Sequence, residues 1–198
     1  MVHPIFKDVR CIKANPDSPQ RYVREAALRR GITVIVPTPR LKGGFKKFDP
    51  AKIPVDKYAE AANLSTSDRW AEEVPLKALP GIDLIVTGSV AVTPDGRRCG
   101  KGHGYGDLEY AIYRELGHPP VAVVTTVHPL QVLNGFPADP HDLPVSLIVT
   151  PDEVIEVAHP PPPPAGVDWE RLPARALREM PVLASLRKLK SPRKMRRP

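Results

Sequence analysis

The sequence predicts an α/β domain of three layers, with helices on both faces of a mostly parallel sheet. Three observations carry that reading. Short runs that are nearly all apolar and rich in β-branched residues recur at 9–14, 33–36, 82–87, 121–126 and 147–150, as strands buried on both faces require. Helical spacing alternates with them, at Val23, Ala26 and Ala27 and again at Leu108, Ala111, Ile112 and Leu116. Between one strand and one helix lies a glycine-rich stretch, with Gly100, Gly102, Gly104 and Gly106 at every second position.

Residues 9–14 form the first strand, and Asn15-Pro16-Asp17 turns the chain. Ser18 is placed to cap a helix that starts with Pro19 and ends at Gly31. Strand 33–36 is stopped by Pro37 and Pro39, and residues 42–80 are mixed, with short helical pieces at 55–62 and 67–73. Strand 82–87, a turn at Pro94-Asp95-Gly96, the glycine run and a helix from Leu108 follow. Strands 121–126 and 147–150 come next, then a short one at 154–157. Pro160 to Pro164 is an unbroken proline run, a stiff polyproline II spacer or, alternatively, a docking peptide. Beyond it, residues 167–186 hold two apolar-periodic patches, expected to pack back on the domain through Trp169 and Leu183. The organisation expected is an α/β domain over 1–158, a linker over 159–166, a helical appendage over 167–186 and a disordered basic tail over 187–198.

The length suits one domain with extensions. No apolar run approaches membrane-spanning length and no signal-peptide pattern opens the sequence. Cys11 and Cys99 form no metal or redox motif, which favours a reducing cytoplasmic setting. The formal net charge is +7, and the seven Lys and Arg residues between Arg187 and Arg197 make up the whole excess. Such a tail attracts RNA or another polyanion weakly and salt-sensitively. Without aromatic interleaving or an RNA-binding motif, specific nucleic-acid recognition is not expected.

Strand, glycine-rich turn and helix together aim backbone N–H groups and a helix N-terminus at an anion, usually phosphate. The alternative is a tight connection that needs positive φ. The stretch is not a Walker A loop, because Gly96 to Lys101 is one residue short and Gly102 stands where Ser or Thr should follow the lysine. Nor is it a dinucleotide fingerprint, since Tyr105 occupies the third glycine position. Arg97, Arg98 and Lys101 bring cations to the loop, and Asp107 brings a carboxylate suited to magnesium on bound phosphates. His103, His128 and His141 lack zinc spacing, and no Ser-His-Asp motif is present.

The run from Asp95 to Asp107 resembles the D-G-x-R-x-G-x-G-x-G-Y-x-D signature of 5-formyltetrahydrofolate cyclo-ligases, also called methenyltetrahydrofolate synthetases. It is most similar to a divergent synthetase-domain-containing branch, which also carries N-P-D-x-P-Q, V-P-T-P-R-L and T-T-V-H segments. Here these are Asn15 to Gln20, Val36 to Leu41 and Thr125 to His128. The resemblance covers about residues 6–155 and continues loosely to 186. It implies a Rossmann-like fold, ATP and Mg²⁺ as cofactors, a reduced folate or related heterocycle as substrate, and 5,10-methenyltetrahydrofolate, ADP and phosphate as products. In the family mechanism the formyl oxygen attacks the γ-phosphate, the neighbouring folate nitrogen attacks the activated carbon, and phosphate leaves as the ring closes. That asks for alignment and charge neutralisation more than for a nucleophile.

Carried over by residue, the resemblance implies that Gly100, Gly102, Gly104 and Gly106 let the backbone approach the phosphates. Arg98 and Lys101 would be the catalytic cations, and Tyr105 would line the folate pocket or serve as a core aromatic. Asp107 and Asp142 would hold magnesium; the alternative for Asp107, compatible with that role, is a helix cap. His128 would bind substrate or phosphate, or act as a structural histidine.

Three departures stand against full conformity. Family members have an N-terminal helix whose Lys and Arg reach ATP, and here Met1 lies only a few residues before the first strand, so the start is either late or lacks that helix. Gly106-Asp107-Leu108 replaces a Y-Y-D-R ending. Pro129 and Ser146 stand where the branch often has acids. Two alternatives keep the fold: an ATP-using enzyme on another heterocycle, as in thiamine salvage, or a degenerate domain that binds nucleotide or RNA.

Overall fold

The structure, a computed structural model, describes residues 3–137, 139–172 and 175–190. In chain order the elements are β1 (Cys11–Ala14), α1 (Arg21–Arg29), β2 (Thr33–Pro37), β3 (Phe45–Phe48), α2 (Tyr58–Ala62) and β4 (Glu72–Val74). Then come β5 (Leu84–Gly88), β6 (Ala91–Val92), β7 (Arg98–Cys99), α3 (Tyr105–Glu115) and β8 (Ala122–Thr126). The chain continues through β9 (Leu147–Val149), β10 (Val154–Glu156), α4 (Ala176–Glu179) and α5 (Pro181–Lys190). Single 3-10 turns join several of them, among them Ser18–Gln20 and Pro39–Leu41. Among the described residues no helix is long and apolar enough to cross a membrane.

Among these residues the main sheet has the strand order β10-β9-β8-β5-β1-β2-β3-β4. Its centre, β9-β8-β5-β1-β2, is parallel throughout, and β3, β4 and β10 add antiparallel edges. The fold is the α/β, mostly parallel architecture that the apolar strands predict. Alternation along each strand divides two cores. Cys11, Ile35, Ile85 and Val123 face α3, where Tyr110, Ile112 and Leu143 are buried with them. Ile12, Val34, Leu84, Val86 and Val124 face α1 and α2, against Ala27, Leu28 and Ala61.

The structure differs from the sequence reading in the mixed region and at one cap. Residues 67–73 are not one helical piece: a 3-10 turn at Ser67–Trp70 gives way to β4. The Phe45-Lys46-Lys47-Phe48 run is a strand, although its apolar spacing does not alternate. Phe45 points to one core and Phe48 to the other, while Lys47 meets Asp49 and Glu72. Pairing with β4 organises that charge, and no local pattern announces it. Ser18 does not cap a helix; it lies inside the 3-10 turn, and no side chain caps α1. Instead the buried Arg24 guanidinium, depressed by burial to about 10 with Asp17 opposing, donates to the carbonyls of Asn15, Asp17 and Ala62.

The C-terminal segment is part of the larger core. Val167, Met180, Val182, Leu183 and Leu186 are buried in the cluster that contains Tyr110 and Ile112. Glu115, in the last turn of α3, accepts from the Val167 N–H at 3.1 Å and the Trp169 indole at 3.4 Å. α5 continues past Leu186 to Lys190, so the first basic residues of the expected tail are helical; residues 191–198 lie outside the described residues.

The β6–β7 ribbon turns at Thr93 to Gly96, where the Gly96 N–H reaches Thr93 O and the Gly96 carbonyl accepts from Val145. Gly96 has φ +88°, and a Cβ there would lie 2.6 Å from Val145 O. Gly31 has φ +73° with open space around it. Gly96→Ala is therefore expected to cost about 2–4 kcal/mol in urea denaturation, against about 1 kcal/mol for Gly31→Ala. Equal losses would contradict the close approach to Val145.

Candidate functional site

A cavity of about 720 Å³ opens at the carboxyl ends of the parallel strands. Asn15 beyond β1, Thr38 and Arg40 beyond β2, Gly88 at the end of β5, His128 beyond β8 and Thr150 beyond β9 all line it. The chain runs outward from β1 to β2 and later returns on the other side of β1 as β5. That reversal is a topological switch point, where the loops of neighbouring strands diverge and leave a crevice.

The glycine loop forms one wall, and its glycines serve two purposes. Gly102 and Gly104 have φ of +81° and +66°, and Gly104 is the left-handed residue from which α3 starts. Gly100 makes room for Arg98, since a Cβ there would lie 3.2 Å from Arg98 Nη1, whereas one on Gly106 would meet Nη2 at an ordinary contact distance of 3.7 Å. No side chain caps α3, so its first-turn N–H groups, at Tyr105, Gly106 and Asp107, are left for an external acceptor. All three residues line the cavity.

Arg98 is nearly fully buried. Its Nη2 ion-pairs with Asp107 Oδ1, Nε donates to Leu143 O at 3.1 Å, and Nη1 donates to Gly88 O at 3.3 Å. Asp107 Oδ1 also accepts the Leu143 N–H at 2.9 Å. Arg98 thus lines the cavity as a brace between β5, the Leu143 loop and the start of α3, with each guanidinium nitrogen engaged. Lys101 is exposed and pairs with Asp17 across the mouth at 2.7 Å.

Tyr105 lines the cavity while packing against the α3-side core. His128 is exposed at the rim and caps the Pro129–Gln131 turn, its Nδ1 accepting the Leu130 N–H at 3.2 Å. In the neutral ring that leaves Nε2–H as a donor. Gly102 and Asp142 are not among the lining residues. Asp142 Oδ2 instead accepts the Asp139 N–H at 2.8 Å and closes its own turn.

Sequence reasoning missed a second buried charge pair. Lys13 shares the α3 face of β1 with Cys11, and its ammonium sits against Glu109 Oε2 while donating to Asn15 Oδ1 at 2.8 Å. Both charged side chains are buried, and Glu109 and Asn15 line the cavity. Burial raises the Glu109 carboxyl above its ordinary value, with Lys13 and then Arg98 pulling it back. Gln20, also buried and lining, donates Nε2 to Thr126 Oγ1 at 3.2 Å, and its Oε1 has no partner. Gln20 closes the Asn15 to Gln20 family segment, whereas Lys13 and Glu109 are single charges in an apolar strand and a helix with no local pattern to pair them. Lys13→Ala, which strands Glu109, is expected to destabilise by about 3–5 kcal/mol in urea denaturation. Lys13→Met combined with Glu109→Leu should recover most of that loss, and no recovery would refute a simple paired-charge account.

The donor set fits phosphate better than a metal held by protein alone. Among the described residues no three His, Cys, Asp or Glu side chains gather as a metal site, and Asp107 is the predicted acid that lines the cavity. Magnesium commonly takes one or two carboxylates plus phosphate oxygens and water. Asp107 beside uncapped N–H groups suits that arrangement.

Comparison with known proteins agrees with the architecture. Residues 5–151 match the model of the 5-formyltetrahydrofolate cyclo-ligase family. The methenyltetrahydrofolate synthase domain-containing protein of Bos taurus is 41% identical over 188 residues, covering 92% of this chain and 50% of that protein. The protein of the same name from Homo sapiens is 36% identical over 190 residues, covering 92% of this chain and 49% of its own length. The chain therefore spans about half the length of these relatives. The solution structure of Aquifex aeolicus 5,10-methenyltetrahydrofolate synthetase superposes with a TM-score of 0.53 at 20% identity, covering 79% of this chain and 76% of that one, a likeness of fold. On the family match over residues 5–151, this chain belongs to the 5-formyltetrahydrofolate cyclo-ligase family.

Proposed function

We propose that the chain is an ATP- and magnesium-dependent cyclo-ligase that closes the ring of 5-formyltetrahydrofolate or a closely related heterocycle. The observation that carries the proposal is the wall where the glycine loop meets the uncapped start of α3 above Arg98 and Asp107. Bound Mg-ATP would supply the phosphoryl group that activates the formyl oxygen. The N–H groups of Tyr105, Gly106 and Asp107 would hold phosphate oxygens, and Asp107 would offer its outer oxygen to magnesium. Lys101 would exchange Asp17 for phosphate at the mouth.

Arg98 acts in this reading as a positioning residue. Its three engaged nitrogens fix the loop and Asp107 before any ligand arrives, which is the preorganisation that electrostatic catalysis requires. Asn15, Gln20, Thr126 and His128 offer polar partners for the edges of a heterocycle, and Tyr105 offers an aromatic surface.

The test is a spectrophotometric assay of methenyl product from 5-formyltetrahydrofolate and Mg-ATP. Asp107→Asn is expected to lower kcat by about 10²–10³-fold, and Lys101→Ala to raise the KM for ATP about tenfold with little change in kcat. Arg98→Lys, which keeps charge but not the fork, should lower kcat in parallel with Asp107→Asn. Absence of product from a wild-type protein that binds Mg-ATP would overturn the folate assignment and leave nucleotide binding standing.

A further inference from the structure

The Arg40 side chain has no role in the brace, the loop or the buried pairs, and its surroundings set it apart. The cavity is lined by Arg98, Lys101 and Arg40 as its Lys and Arg side chains among the described residues. Arg98 is paired with Asp107 and Lys101 with Asp17. Arg40 is exposed at the rim and has no acidic partner among the described residues. It is a cation left over at a ligand-sized opening.

Its backbone is unusual as well. Arg40 and Leu41 have φ of +54° and +53°, in the left-handed region that non-glycine residues rarely adopt. The surroundings hold that conformation in place. Leu41 is buried in the α3-side core, and its N–H reaches Thr38 O at 2.9 Å. Thr38 Oγ1 accepts the Gly43 N–H at 2.9 Å, and the Thr38 N–H reaches Gly44 O at 2.9 Å. An anchored turn that keeps an arginine in a disfavoured conformation beside a cavity is the pattern expected where a side chain is presented to a ligand.

We propose that Arg40 is an anion-binding residue that fixes the far end of the ligand held in this cavity. Arg40 follows β2, two strands from β5 in the sheet order, so it stands roughly 10 Å along the crevice from the strand that feeds the glycine loop. One anion site lies at the loop and a second lies at Arg40. The ligand chemistry is an oxyanion, carboxylate or phosphate, on a molecule long enough to span them, and the planar guanidinium fork matches either bidentately. This deepens the cyclo-ligase reading and rests on its choice of cavity. The two sources are the phosphates of a nucleotide and the carboxylate tail of a folate.

The experiment uses calorimetric titration of the full chain with four probes: Mg-ATP, 5-formyltetrahydrofolate, inorganic pyrophosphate and glutarate. Wild type is compared with Arg40→Ala and Arg40→Lys, and unliganded melting temperatures control for folding. Arg40→Ala is expected to weaken one anion class about tenfold or more and to leave the other unchanged, with Arg40→Lys between. Loss confined to Mg-ATP and pyrophosphate identifies phosphate as the source, and loss confined to 5-formyltetrahydrofolate and glutarate identifies carboxylate. Equal affinity of wild type and Arg40→Ala for every probe, or binding of none, overturns the proposal. Arg40-dependent binding in a protein that makes no methenyl product would uphold Arg40 while removing the cyclo-ligase assignment. Turnover that is intact and Arg40-independent would do the reverse.

Discussion

The buried ion pair of Arg98 and Asp107 is the interaction on which the site depends. A guanidinium removed from water is costly unless its donors are satisfied, and here each nitrogen finds an acceptor: Gly88 O, Leu143 O and Asp107. Those acceptors come from the end of β5, the segment before β9 and the first turn of α3. One side chain therefore locks three parts of the chain to the β6–β7 ribbon. One of the alternating glycines follows from it, since a side chain on Gly100 would crowd the guanidinium. Gly102 and Gly104 follow from the reversal that starts α3 in a left-handed conformation.

The second buried pair, Lys13 with Glu109, extends the same logic to the cavity floor. β1 sends Lys13 to the α3 face, and α3 meets it with Glu109 two residues past Asp107. Opposite charges alternate along this wall, with Lys13, Glu109, Arg98 and Asp107 compensating one another. The wall is polar yet neutral, so the unneutralised polarity at the cavity is that of the uncapped helix start. Under the proposed function, a ligand that brings phosphate would meet N–H dipoles without displacing an internal ion pair.

Far from the cavity, the C-terminal segment keeps α3 in place. Glu115 holds the backbone at Val167 and the indole of Trp169, while Leu183 and Leu186 fill the core beneath Tyr110 and Ile112. Tyr113 adds a further tie, donating to Ile82 O and accepting from Ile82 N just before β5. The helix that presents its N-terminus to the cavity is thus fixed at its far end and along its buried face. That rigidity is what a site relying on fixed dipoles requires.

Much of this was legible in the sequence because it rests on local rules. Apolar β-branched runs identify strands buried on both faces, and alternating glycines before a helical pattern identify the loop that leads into α3. Family resemblance at Asp95 to Asp107 led to the correct family. Local rules failed where partners come from distant segments. Phe45 to Phe48 became a strand because β2 and β4 flank it, and Ser18 does not cap α1 because it lies inside a 3-10 turn ahead of Arg21, where α1 begins. Lys13 and Glu109 sit in unremarkable local contexts, and they meet Gln20 and Arg40 at one cavity only when five strand ends are brought side by side. The sequence by itself determined which segments are strands, helices and glycine loop, since periodicity and backbone freedom are properties of neighbours along the chain. Only the tertiary structure decided which charges neutralise one another and which face the cavity, because pairing energies depend on burial and distance across the sheet.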